Sequence, residues 1–245
     1  MPSRLRNNTR MNSRLHRPAL IALLAALFTF AADFAAAADA QQRSSYWRER
    51  TSVFRVFGQK ADVVMIGDSL TDGAEWAEMF PDQEIVNRGI DGDTTHGILA
   101  RLDTILKLEP KQAYLMVGIN DFAEQHRAVA SVFAHYRSIV ARLSRAGVHV
   151  FVQSTLPCNE IKARWKSCAS LNPKIRQLNA RLATLDTEND NVTYVDLWPA
   201  LAGKGGLKKE LTYDGVHLNG DGYRAWKEAI APHMPVPVRQ AGPVR

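Results

Sequence analysis

Five short runs with strand character recur along this chain, at 63–66, 84–88, 112–117, 148–152 and 192–195, and segments of helical spacing separate them. That alternation restricts the fold more than any other feature, because strand–helix repetition produces a parallel sheet with helices on both faces. The runs Val63-Val64-Met65-Ile66 and Val148-His149-Val150-Phe151-Val152 are nearly continuous in apolar residues, as strands covered on both sides are. Between them, 124–145 carries Val129, Val132, Phe133, Tyr136, Ile139, Val140 and Leu143 on one stripe, and Gly147 closes it. Ile98, Leu99, Leu102, Ile105, Leu106 and Leu108 predict one helix ending before Pro110, with Thr94 or Thr95 as its cap. Further helices are expected at 74–80, 173–185 and 220–230, and an amphipathic one within 41–60. The stretch 204–210 reads as a loop, and the Pro-rich segment after 230 as a poorly ordered tail. Neither a repeat nor a dividing linker stands out, so an α/β domain with about five strands is expected.

The first 40 residues stand apart. Arg4, Arg6, Arg10, Arg14 and Arg17 precede an uncharged run at 18–32, and small residues follow. This is the pattern of a secretory signal peptide, and the run falls short of the roughly 20 residues a membrane-spanning helix needs. Cleavage is expected after Ala40, with Ala38 the alternative, and Met11 is an alternative start. The expected organisation is therefore signal peptide 1–40, one domain 41–235 and a flexible tail 236–245, in a periplasmic or secreted protein with no stable membrane span after cleavage. The leader holds five arginines and two aspartates, so removing it takes the net charge from +6 to 6 − (5 − 2) = +3. No basic run interleaved with aromatic residues remains, which disfavours a nucleic-acid partner. Cys158 and Cys168 are expected to pair in an exported chain, two free thiols being the alternative. No zinc-ligand spacing surrounds them. The oligomeric state is left open.

Three polar elements fall at one structural address. Ser69 follows the first strand in Gly67-Asp68-Ser69-Leu70, Gly89 closes the second, and Asn120 follows the third in Gly118-Ile119-Asn120-Asp121. Parallel strands bring such ends to a single rim, where open α/β sheets place their ligands. Ser69 reads equally as a helix N-cap and as a nucleophile. A nucleophilic serine needs a base, an acid that orients the base, and donors for the developing oxyanion. Of seven histidines, His16 lies in the leader and His233 in the tail, His126, His135 and His149 sit within or beside helix and strand patterns, and His96 has no acid at an orienting offset. His217 follows Asp214 by three residues in a loop ahead of the last helix, so one turn can place the carboxylate on one ring nitrogen and leave the other facing Ser69. The expected roles are Ser69 as nucleophile, His217 as general base and then acid, and Asp214 as orienter. The backbone N–H groups of Ser69 and Gly89 and the Asn120 amide are the expected oxyanion donors. Trp165, Trp198, Tyr213 and Trp226 form a candidate sugar-stacking set, with core packing as the default reading.

Gly67-Asp68-Ser69-Leu70, Asn87-Arg88-Gly89-Ile90, Gly118-Ile119-Asn120-Asp121 and Asp214-Gly215-Val216-His217 resemble, in order, the four signature blocks of the SGNH (GDSL) hydrolase family. The second and third blocks, with Asp93-Thr94-Thr95, look closest to the platelet-activating-factor acetylhydrolase-like branch with its bacterial esterases. The resemblance implies a flavodoxin-like three-layer α/β/α sandwich and ester hydrolysis through an acyl-enzyme, with no metal or cofactor. It does not imply a substrate, since the family covers lipids, acetylated sugars and thioesters. The reading that follows is an exported serine esterase acting on short acyl, above all acetyl, esters of carbohydrate or a small lipid. A lysophospholipase or acyl-thioesterase of the same fold is the alternative, and a noncatalytic glycan-binding protein is the alternative of another class. Thr71 stands where the α/β-hydrolase Gly-x-Ser-x-Gly elbow has its second glycine, which disfavours that fold.

Overall fold

A computed structural model describes residues 44–163 and 167–236. The expected leader 1–40, Trp165 and most of the expected tail lie outside the described residues. Five parallel strands, β1 (Val63–Gly67), β2 (Ile85–Gly89), β3 (Gln112–Met116), β4 (His149–Gln153) and β5 (Val192–Val195), form one sheet in the order β2-β1-β3-β4-β5. The helices are α1 (Ser45–Val56), α2 (Ser69–Asp72), α3 (Trp76–Met79), α4 (Thr95–Ala100), α5 (Leu102–Leu106), α6 (Ile119–Ala123), α7 (Val129–Arg145), α8 (Cys168–Leu182), α9 (Leu185–Glu188), α10 (Trp198–Leu201) and α11 (Gly220–Ile230).

Because successive strand side chains point to opposite faces, the continuous apolar runs feed two cores. Val64, Ile66, Ala113, Leu115, Val150 and Val152 face α4, α5, α7 and α8, burying Leu102, Tyr136, Ile139, Ile175 and Leu178. Val63, Met65, Tyr114, Met116 and Phe151 face α3, α10 and α11, burying Trp76, Leu201, Trp226 and Ile230. The result is the expected α/β/α sandwich. Trp226 is buried edge-on against Trp76, so its role is packing.

Several local expectations differ from what forms. The single helix through 98–108 is two, broken at Arg101, whose backbone leaves helical geometry while its side chain turns into the protein. The helix expected at 124–145 starts at Val129, after α6 and a positive-φ His126. Helix α8 begins at Cys168 rather than 173, because the disulfide to Cys158 and the clamp of Asn172 on the Cys158 backbone hold its first turns. Within 204–210, Gly206–Leu207 pairs with Ala202–Gly203 as a small antiparallel hairpin. The segment after 230 docks as far as Pro235, since Tyr114 donates to the His233 carbonyl at 2.7 Å and Gln83 to that of Pro235 at 2.7 Å.

Candidate active site

The carboxyl ends of β1, β2 and β3 and the loop before α11 supply the site. Strand β1 ends at Gly67, and a side chain there would run into the Thr71 side chain and the Met116 carbonyl, so the chain can turn this tightly only with glycine. Asp68 caps α2, its Oδ1 accepting the Leu70 N–H at 3.1 Å. The capping task thus belongs to Asp68, and Ser69, the first helical residue, keeps its hydroxyl for another partner. That partner is His217, whose Nε2 lies 3.0 Å from Ser69 Oγ across 148 residues of sequence.

The loop that brings His217 there is organised by short-range bonds. Asp214 Oδ1 accepts the N–H groups of Val216 and His217, both at 2.8 Å, while Oδ2 lies 2.7 Å from His217 Nδ1. One carboxylate therefore shapes the turn and holds the ring. With Nδ1–H donated to Asp214, Nε2 is an acceptor for the Ser69 hydroxyl. Burial pushes the Asp214 carboxyl up, but its bonds to the His217 ring and the two backbone N–H groups outweigh that and hold it below the usual carboxylate range. Thr212 Oγ1 donates to the His217 carbonyl at 2.6 Å and accepts the Gly215 N–H at 2.9 Å. Gly215 has φ +96°, and a side chain there would strike Ala163 N. Asn159 N–H donates to the Gly215 carbonyl at 2.7 Å. The segment leading into the Cys158–Cys168 bond, whose Cα atoms are 5.6 Å apart, thereby backs the Asp214–His217 turn.

The expected oxyanion donors differ in their present partners. Gly67 and Gly89 lie side by side in the β1–β2 register. The Gly89 N–H donates to Asn87 Oδ1 at 2.8 Å, so a substrate oxygen has to share or displace that bond. Gly89 has a packing reason as well: a Cβ there would lie 2.6 Å from the Thr71 carbonyl carbon and collide with Asp72 N. Asn120 Nδ2 donates to the Asp93 carbonyl at 3.0 Å, which uses one of its two N–H groups.

Several residues that matter here were given no role from sequence. Asn87 Nδ2 reaches the carbonyls of Thr71, Asp72 and Ala74, tying β2 to the helix that starts with Ser69. Tyr46 Oη and Asp91 N donate to Asp72 Oδ2, and Tyr223 Oη donates to the Leu70 carbonyl. Tyr213, 67% exposed, lies parallel to the His217 ring at 5.8 Å. Trp198 instead donates to the Thr155 carbonyl and lies under Arg176. His96 packs beside His135, and His149 bonds Thr193. Among the described residues no group of three or more His, Cys, Asp or Glu side chains is spaced to hold a metal ion.

Comparison with known proteins places the chain in a family and finds its fold in solved structures. The model of the GDSL-like lipase/acylhydrolase family matches residues 65–225, more than half of the chain. The human platelet-activating factor acetylhydrolase IB subunit alpha2 is 27% identical over 179 residues, covering 67% of this chain and 72% of its own. A GDSL-like lipase from Bacteroides thetaiotaomicron superposes with a TM-score of 0.66 at 25% identity, covering 76% of this chain and 96% of its own. An acetylxylan esterase from Geobacillus stearothermophilus shares the fold, with a TM-score of 0.55 at 19% identity over 72% of this chain and 94% of its own.

Proposed function

We propose that this chain, which belongs to the GDSL-like lipase/acylhydrolase family and is a carboxylic ester hydrolase, is an exported serine esterase that removes short acyl groups, acetyl above all, from a carbohydrate or a small lipid. The observation that carries the mechanism is the line Asp214 Oδ2, His217 Nδ1, His217 Nε2, Ser69 Oγ, with contacts of 2.7 and 3.0 Å. Ser69 Oγ attacks the ester carbonyl while His217 Nε2 takes its proton, and Asp214 stabilises the imidazolium. The tetrahedral oxyanion is met by the N–H groups of Ser69 and Gly89 and the Asn120 amide. His217 then returns the proton to the leaving alcohol, and an acyl-Ser69 ester remains. Water, deprotonated by the same imidazole, attacks that ester, releasing the acid and restoring Ser69.

The acetyl preference is supported by the acetylhydrolase and acetylxylan esterase among the similar proteins, and by the absence of any long apolar segment after Gly89 or Asn120 in the sequence. Export is supported by the arginine-led apolar leader and by the Cys158–Cys168 bond. No helix among the described residues is long and apolar enough to cross a membrane. The test is kcat/KM over p-nitrophenyl esters from two to twelve carbons, followed by acetylated sugars, lysophospholipids and acyl-thioesters. A maximum at two to four carbons with release of acetate from sugars is expected. A maximum at eight carbons or beyond would replace this reading with the lysophospholipase or thioesterase one.

A further inference from the structure

We infer that the buried Asp93–Arg101 pair is the positioning unit of the proposed oxyanion site, setting the rate through the Asn120 amide. The inference rests on the esterase reading of the Ser69 site. Arg101 is wholly buried, and its Nε donates to Asp93 Oδ2 at 2.8 Å. Its Nη2 donates to the carbonyls of Arg88 at 2.8 Å and Gly67 at 3.4 Å. Arg88 directly precedes Gly89, and Gly67 lies two residues before Ser69. At the other end of the pair, the Asp93 carbonyl accepts the Asn120 Nδ2 hydrogen at 3.0 Å, which fixes the plane of that amide. Asp93 Oδ1 is itself held by Trp47 Nε1 and the Thr94 N–H, both at 2.9 Å. One ion pair thus touches the segments that carry all three proposed oxyanion donors; the two main-chain N–H donors are also held by the β1–β2 pairing and by α2, so the Asn120 side chain is the donor that depends on the pair.

Stability alone does not account for such a pair. Burying two charges costs desolvation that their attraction roughly offsets, and well-packed apolar residues do as well or better in many proteins. What apolar residues cannot do is bind the ends of two strands and the 93 loop at once. Donors that must meet an oxyanion within a few tenths of an ångström need a rigid support of this kind.

The test is a double-mutant cycle on hydrolysis of p-nitrophenyl acetate, with kcat, KM and Tm read separately for wild type, Asp93→Asn, Asn120→Ala and the double variant. Loss of one oxyanion donor in Asn120→Ala is expected to lower kcat by about 10²- to 10³-fold. Asp93→Asn is expected to lower kcat about 10-fold or more with KM moved less than about 3-fold, and its effect should shrink below about 3-fold once Asn120 is alanine. Equal losses in both backgrounds, or a raised KM with kcat intact, would overturn the inference. If Asp93→Asn does not fold, Trp47→Phe removes the Trp47 Nε1 bond to Asp93; its few-fold loss in kcat should vanish in the Asn120→Ala background, and persistence there would equally overturn it. Failure of the underlying esterase reading shows separately, as wild-type kcat in Ser69→Ala.

Discussion

A serine hydroxyl is a weak nucleophile until a base takes its proton, and in the proposed reaction that base is the His217 nitrogen 3.0 Å from Ser69. Asp214 contributes by fixing which ring nitrogen is free. Asparagine at 214 keeps the shape but can donate to Nδ1, favouring the wrong tautomer, so Asp214→Asn is expected to lower kcat by about 10³- to 10⁴-fold with Tm nearly unchanged, measured by steady-state kinetics and thermal melts. Asp68 raises a different question, because this capping carboxyl is 1% exposed. Burial, against the pull of the Leu70 N–H bond and helped by the Asp93 and Asp121 carboxylates, pushes it up to about 8. An unfolded chain ionises the same group near 3.8, so its contribution to stability is whole below that pH and is lost as pH rises to about 8. Asp68→Asn retains an acceptor for Leu70 N–H and removes the titration. Its Tm advantage over wild type should widen between pH 5 and pH 8 and level off above, as melts across that range would show.

Among the elements, the end of β2 approaches α2 closely enough that only glycine fits at 89. A methyl group on Gly89 would enter the Thr71–Asp72 backbone, and no rotamer relieves a clash with main chain. Gly89→Ala is therefore expected either to fail to accumulate or to lose more than about 10²-fold in kcat, since the strand end and the helix that begins with Ser69 must separate. Strands and core helices were readable from sequence because their signals are local: apolar runs for β1 and β4, and a stripe for α7. The interruptions were not readable, because they answer to distant partners. Arg101 breaks a helix to reach carbonyls 13 and 34 residues away, and Asn87 reaches three carbonyls 13 to 16 residues back. Asp93 stands in the Asp93-Thr94-Thr95 stretch noted with the family blocks, but nothing local shows that its side chain holds Arg101 and Trp47 while its carbonyl holds Asn120. Ser69 and His217, 148 residues apart, share no local signal and were pointed to by the family blocks and by their places after strands.

For the molecule as a whole, one feature joins stability, compartment and site. The Cys158–Cys168 bond closes a ten-residue separation, and the residues just inside it brace the turn of Asp214 and His217 through Asn159. Closing such a loop contributes about 3 kcal/mol by chain entropy. Replacing both cysteines by serine should then lower Tm by about 6–12 °C for a domain of this size, measured by calorimetry. Reductant should lower the wild-type Tm toward that value. The geometry of Asp214, His217 and Ser69 supports the proposed covalent intermediate on Ser69. The most direct measurement is labelling with a fluorophosphonate probe followed by peptide mass spectrometry. A single adduct is expected on the peptide containing Ser69, absent from Ser69→Ala and slowed at least about 10²-fold in His217→Ala. An adduct on another residue, or equal labelling of Ser69→Ala, would contradict it.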